Sequence, residues 1–301
     1  MRRFSGCALL HLLFLLSVSL LLLQGCARPV LQTYPASEQE VQLTASAFTR
    51  YQKIYQDECA CCLDAEADAT VSVSGWFSNH TGKLSGYLQA MEPGYIKFVA
   101  LNPLGQPIFI FLTNGKFFKG LNILEGRAYM GSVNSEIFKK FAPPGFDPGF
   151  TYYWLTGKLP PGDIEILKVR RDKEHNGYWL QVRHEQSGID RMILFDPEEF
   201  VILRHIIMSD RGDHVVDLLY EGYQPGYVRE KQLAAKDQGM IGSSDLKGKL
   251  CKIPTKIRVS SNSGAEKRID LKLFSFIPGT EFSPDDFELE IPDNLEQLIV
   301  N

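Results

Sequence analysis

Beyond its first 25 residues the 301-residue chain has no apolar run of spanning length. About 20 such residues are needed for a helix to cross a bilayer, so the rest reads as a water-soluble body. A clustered basic patch is also missing. The 32 Lys and Arg are scattered singly or in pairs among 36 Asp and Glu, which argues against a nucleic-acid partner, because phosphate binding needs concentrated positive charge. His80, His175, His184, His205 and His214 stand singly, none with a second ligand at helical or tight-turn spacing, so no metal site is predicted. There is no Gly-x-Ser-x-Gly elbow, and Gly239-Met240-Ile241-Gly242-Ser243-Ser244 lacks the Gly-Lys-Ser ending of a phosphate loop. With no catalytic constellation, the chain is read as non-enzymatic and without a cofactor.

What is present begins at the N-terminus. Arg2 and Arg3 precede a run from Ala8 to Leu23 that holds no acid, Lys or Arg, and the run ends in Leu23-Gln24-Gly25-Cys26. That is a signal-peptide layout, and its end resembles the lipobox, with an aliphatic residue at −3, a small one at −1 and then the cysteine. Residues 1–25 are read as a cleaved signal peptide, Cys26 as the lipid anchor and residues 26–36 as a tether. Ala27 and Arg28 lack the acidic residue that signals inner-membrane retention in enteric bacteria, which favours the outer membrane, facing the periplasm. Removing residues 1–25 takes away two arginines, moves the formal charge from −4 to −6 and leaves a body from Ser37 to Asn301 read as a single domain.

Cys59, Cys61, Cys62 and Cys251 remain in an oxidising compartment, and four cysteines allow three pairings. A bridge from the 59–62 cluster to Cys251 is expected; a thiolate metal site is the alternative.

Ser37 and Glu40 form a capping box ahead of a helix that carries Val41, Leu43, Ala47, Phe48, Tyr51, Ile54 and Tyr55 at helical spacing. From Thr70 the period changes to two. Strands are predicted near 70–77, 83–91, 94–101, 107–113, 116–120 and 125–130, joined by hairpin turns such as Asn114-Gly115. Short helices are expected at 134–141 and 150–156. Strands resume near 163–171, 177–185, 189–196, 200–208, 213–221, 253–261 and 267–276, with a Gly/Lys/Ser-rich loop at 235–249. Asp210 to Asp213 reads as a hairpin turn. The sum is a mostly β fold, a large antiparallel sheet that curls into an incomplete barrel with a capping N-terminal helix and a helical insertion.

Two features break the usual patterning. Ile108-Phe109-Ile110-Phe111-Leu112 and Phe98-Val99-Ala100-Leu101 are apolar on both faces, whereas antiparallel strands normally alternate. A helix is expected to cover one face, and the other to meet either a packed core or an apolar cavity. In Asn102-Pro103-Leu104-Gly105-Gln106-Pro107, a leucine stands among turn formers, where leaving it in water costs about 1.5–3 kcal/mol relative to full burial.

The sequence resembles the LolB family of outer-membrane lipoprotein receptors, which accept lipoproteins from a periplasmic carrier. The resemblance rests on the lipobox cysteine, Gly75-Trp76-Phe77, Tyr95-Ile96-Lys97-Phe98 leading to Asn102-Pro103-Leu104-Gly105, and Tyr153-Trp154-Leu155-Thr156-Gly157-Lys158-Leu159-Pro160. Tyr220-Glu221-Gly222-Tyr223, Ile253-Pro254-Thr255-Lys256-Ile257 and the ending Phe282 to Leu289 follow in the expected order. This chain is longer than typical members and has four extra cysteines. The resemblance implies an incomplete barrel around an acyl-chain cavity that includes Phe98, Phe109, Phe111, Trp154 and Leu155. It also implies that Leu104 inserts into the membrane, that the ligands are lipid or lipoprotein acyl chains, and that a LolA-like carrier is the donor.

Overall fold

A computed structural model describes residues 31–74, 79–136, 138, 148–184, 190–209, 214–226, 251–261, 266–277 and 280–300. Residues 1–30 with Cys26, Gly75-Trp76-Phe77, the turn at 210–213, the loop at 235–249 and most of the helix expected at 134–141 lie outside these.

In chain order the elements are β1 (Thr33–Pro35), α1 (Glu38–Asp57), β2 (Cys62–Ser74), β3 (Asn79–Met91), β4 (Tyr95–Leu101), β5 (Pro107–Asn114), β6 (Phe117–Asn122) and β7 (Arg127–Ser132). Then come a 3₁₀ turn at Pro148–Phe150, α2 (Thr151–Thr156), β8 (Ile164–Asp172), β9 (Tyr178–His184), β10 (Asp190–Asp196), β11 (Val201–Met208), β12 (His214–Pro225), β13 (Lys252–Ser261), β14 (Glu266–Phe274) and β15 (Glu296–Val300). All fifteen strands belong to one sheet, ordered β1-β8-β9-β10-β11-β12-β13-β14-β2-β3-β4-β5-β6-β7-β15. Neighbours are antiparallel except for the parallel pair β7–β15. The sheet does not close: it is an incomplete barrel with β1 and β15 as its edges. The β14–β2 pairing, Glu266↔Ser74 through Phe274↔Glu66, joins the two meanders.

The capping box forms as the sequence predicts. The Ser37 amide donates to Glu40 Oε2 at 2.8 Å and the Glu40 amide to Ser37 Oγ at 3.3 Å. The Ser37 amide and hydroxyl, each donating to Glu40 Oε2 at 2.8 Å, and Tyr178 Oη, donating to Oε1 at 3.0 Å, hold the Glu40 carboxyl below its ordinary pKa. From α1, Phe48, Tyr51 and Tyr55 pack into the main core with Leu180, Ile193, Phe195, Val216 and Leu218, which defines an inner face of the sheet. Leu43, part of the helical pattern, points to solvent instead. Tyr51 Oη donates to the Gly157 carbonyl at 2.8 Å and Tyr55 Oη to the Lys252 carbonyl at 2.9 Å, so α1 is pinned by directed bonds as well as by burial.

The bridge forms between Cys59 and Cys251, 192 residues apart, and ties the end of α1 to the start of β13. Cys61 and Cys62 remain thiols, with their sulfurs 3.7 Å apart. With Cys59 and Cys251 committed to each other, the four-thiolate alternative does not arise.

Three findings depart from the sequence-based expectations. The sheet takes in Thr33–Pro35, read as tether, as an edge strand on β8. Strand β2 begins at Cys62, eight residues before the predicted start. Leu63, Ala65 and Ala67 are buried on one face while Asp64, Glu66 and Asp68 turn outward, an alternation hidden by alanine's weak strand preference. The outer face of β4–β6 is covered not by an α-helix but by the C-terminal segment: a 3₁₀ turn at Pro284–Phe287 sets the Phe287 ring 5.4 Å from that of Tyr95, and beyond it Leu289, Ile291 and Leu295 cluster with Ile110, Leu121 and Ala128. Lys97 Nζ donates to the Asp286 carbonyl at 3.2 Å and Lys119 Nζ to that of Leu289 at 2.8 Å, fastening the segment in place.

Candidate apolar trough and leucine turn

With the outer side of β5 covered, its inner side carries a row of phenylalanines. Phe98 on β4 is opposite Leu88 on β3 and Phe111 on β5, and Phe109 is opposite Ala100, so the three phenylalanines share the inner face. All three are only half-buried. The residues around them are small: Ala65 and Ala67 on β2, Gly86 on β3, Ala100 on β4 and Gly120 on β6, the last in register with Phe111. A side chain added at Gly120 would meet nothing within 4 Å, so there is open space beside Phe111. Large rings on a floor of small residues make a shallow apolar surface that can take up a flexible hydrocarbon without rearranging the backbone.

Of the residues expected to line a cavity, the structure brings Phe98, Trp154 and Leu155 into the main cluster. Phe111 packs with Phe118, Val133 and Phe138 in a neighbouring one. Phe109 lies on the same face, opposite Ala100 on β4 and Asn122 on β6, and belongs to neither cluster. Trp154 is only 3% exposed: α2 is a fixed part of the core. Its last turn ends at Gly157, with φ of 66°, where a Cβ would come within 2.8 Å of Tyr223 Oη. Tyr152 Oη donates to the Ala60 carbonyl at 2.6 Å, and buried Lys158 Nζ to the same carbonyl at 3.1 Å. The ammonium also lies over the Tyr55 and Tyr152 rings at 5.5 and 5.1 Å, which compensates for some of the hydration it loses on burial.

Leu104 sits at the tip of the β4–β5 turn and is 83% exposed. The turn is rigid for reasons visible in its sequence. Asn102 Oδ1 accepts from the Leu104 amide at 2.9 Å and the Gln106 amide at 3.0 Å, its carbonyl accepts from the Gly105 amide, and Gly105 takes φ of 78°, a conformation glycine adopts without strain.

No family model and no curated protein matches this sequence. Among solved structures the chain is similar to a LolA superfamily protein from Nitrosomonas europaea, at 10% identity over 82% of this chain and 97% of that one, with a TM-score of 0.46. A DUF1329 family protein from Desulfovibrio piger matches at 12% identity over 82% and 97%, TM-score 0.49. A putative outer membrane lipoprotein-sorting protein domain from Vibrio parahaemolyticus matches at 12% over 82% and 96%, TM-score 0.47.

A polar group inside the core escaped the sequence reading. Arg191, His205 and Tyr220 are all buried on β10–β12, with Arg191 Nη1 3.4 Å from His205 Nε2. Burial, then the Arg191 charge, pushes the His205 pKa well below its ordinary value. His205 Nδ1 and Tyr220 Oη have no hydrogen-bond partner among the described residues. Isolated histidines on strands carry no signal in sequence that would single them out. Among the described residues no helix is long and apolar enough to cross a membrane.

Proposed function

We propose that this protein is a membrane-anchored carrier that holds lipid acyl chains against the inner face of β3–β6 and releases them to the bilayer beside Leu104. The observation that supports it most is the row of partly buried phenylalanines next to the open space at Gly120. Burial is worth about 0.8 kcal/mol per CH₂, so a shallow trough binds a chain while leaving release feasible. Within this reading Cys26 carries the lipid anchor in the outer membrane, the cargo is a lipoprotein's acyl chains, and a LolA-like periplasmic carrier is the donor.

The test is saturable binding of a fluorescent fatty acid to protein purified without detergent. Gly120→Leu should fill the trough and weaken binding at least ~10-fold, about the effect expected from blocking two CH₂ groups, with the unfolding transition unchanged. Leu104→Glu should leave binding intact and abolish insertion of a lipoprotein into liposomes. Unaltered binding in Gly120→Leu would remove the trough from the proposal, and unaltered insertion in Leu104→Glu would remove the leucine.

A second reading, a non-enzymatic envelope scaffold with a filled barrel, draws on the dense core under α1. Native mass spectrometry separates the two: bound phospholipid or acyl mass favours the carrier, a clean apo mass the scaffold.

A further inference from the structure

Strands β4 and β6 run in the same direction, because each is antiparallel to β5. Their following turns therefore emerge at one end of the sheet. The first is the Leu104 turn. The second, Asn122 to Gly126, repeats its construction: an asparagine whose side chain accepts a tip amide, here Glu125 N at 3.2 Å, and a glycine at positive φ, here Gly126 at 67°. At its tip Leu124 is 76% exposed and Ile123 39%. The turn is tied to the strand that follows the Leu104 turn, since the Ile123 amide donates to the Ile108 carbonyl at 3.1 Å. The turns at the other end of these strands, Glu92-Pro93-Gly94 and Asn114-Gly115-Lys116, carry no leucine; Phe117 is exposed near them, but on the strand's outer face and not at a tip.

We infer that the Asn122–Gly126 turn is a second membrane-contacting prong, in which Leu124 and Ile123 enter the bilayer interface beside Leu104. This rests on the reading that Leu104 meets the bilayer. The backbone argues for lipid over a protein partner. In the first turn the amides of Leu104, Gly105 and Gln106 are all bonded within the turn, and Pro103 has none. In the second, the Glu125 and Gly126 amides are bonded within the turn and the Ile123 amide to β5; the Leu124 amide is not among them. Apolar surroundings penalise unsatisfied backbone groups, and a tip that satisfies most of its own amides enters at low cost, while a protein partner would be offered few donors to bind. Glu125 limits the depth to the headgroup boundary, about 5–10 Å.

The test uses the full-length protein with one added tryptophan, Leu104→Trp, Leu124→Trp or Lys116→Trp, and vesicles of phosphatidylethanolamine and phosphatidylglycerol with brominated acyl chains. The readout is the loss of the added emission relative to the parent protein. At interfacial depth the two leucine positions should each lose roughly half of it or more, and Lys116→Trp should lose none. Quenching at position 104 without quenching at 124 overturns the second prong and leaves the carrier reading standing. Quenching at none of the three overturns both prongs, while fatty-acid binding to the trough is judged separately by Gly120→Leu. Equal quenching at all three means nonspecific adsorption and overturns the inference as well. In addition, Leu124→Glu should weaken vesicle binding of a Cys26→Ser variant about tenfold; an unchanged affinity counts against the prong.

Discussion

The two halves of the sheet treat the same kind of residue differently. Under α1, on β9–β12, Leu180, Val182, Ile193, Val216 and Leu218 are fully sealed, with the rings of Phe48 and Tyr51 each 5.3 Å from that of Phe195. On β4 and β5, Phe98, Phe109 and Phe111 are equally apolar and equally inward, yet only partly buried. Alternation along a strand tells which face a side chain takes. Whether that face is covered depends on which other element reaches it. Under the carrier reading, the difference assigns stability to one half and ligand contact to the other.

The sharpest way to break the comparison is to loosen the covered half. Cys251→Ser releases a loop of 192 residues, and the chain-entropy model puts the loss near ~5 kcal/mol, read as a lower urea midpoint in oxidised protein. Phe48→Ala should cost about 3–5 kcal/mol through lost burial and the cavity left behind and leave fatty-acid affinity nearly unchanged in protein that remains folded. Phe109→Ala, its counterpart in the open half, should cost less than Phe48→Ala, since Phe109 is only partly buried, and should weaken fatty-acid binding. If Phe109→Ala destabilises as much as Phe48→Ala, the two halves are equivalent and the trough is ordinary core.

A fourth measurement sharpens the picture of the covered half. The folded pKa of His205 lies below its unfolded value, so the unfolded chain takes up a proton that the folded one refuses. Its contribution to stability is full above about pH 6.5 and is lost as pH falls below that, with a slope of at most ~1.4 kcal/mol per pH unit. His205→Leu should flatten the urea midpoint against pH by that amount relative to the parent. An identical pH dependence in both proteins would mean that His205 is not buried neutral. The smallest effect belongs to Tyr51→Phe, which removes one buried hydrogen bond to Gly157 and should cost about 1 kcal/mol.

Much of the fold was legible in the sequence because its signals are local. The Ser37–Glu40 box places the start of α1. The period-two runs give the strands from β3 to β14 to within a few residues, and the Asn-Pro-Leu-Gly turn marks Leu104. The beginning of β2 was missed because Cys62 to Ala69 alternates acids with alanine, residues with little strand preference. Strand β15 was missed because its parallel pairing with β7, five residues long, has no hairpin to announce it. Leu124 escaped notice in a turn lacking proline, although Asn122 and Gly126 repeat the pattern of Asn102 and Gly105. The two-faced apolarity of the β4 and β5 runs was a true signal: α2 packs with Phe98 on one side of the sheet, and the C-terminal segment, which includes the 3₁₀ turn Pro284–Phe287, covers the other.

By itself the sequence determined the helix and its cap, the strand periods, the turn chemistry and the availability of a cysteine for Cys251, all properties of residues a few positions apart or of residue type. Tertiary structure alone decided that Cys59 is the partner, that β14 joins β2, that the C-terminal tail seals the outer face of β4–β6, and that α1 covers β9–β12 and leaves Phe98, Phe109 and Phe111 only partly buried. Burial is a relation between distant segments. The tyrosines of α1 find the carbonyls of Gly157 and Lys252, and no local pattern encodes where those carbonyls will be.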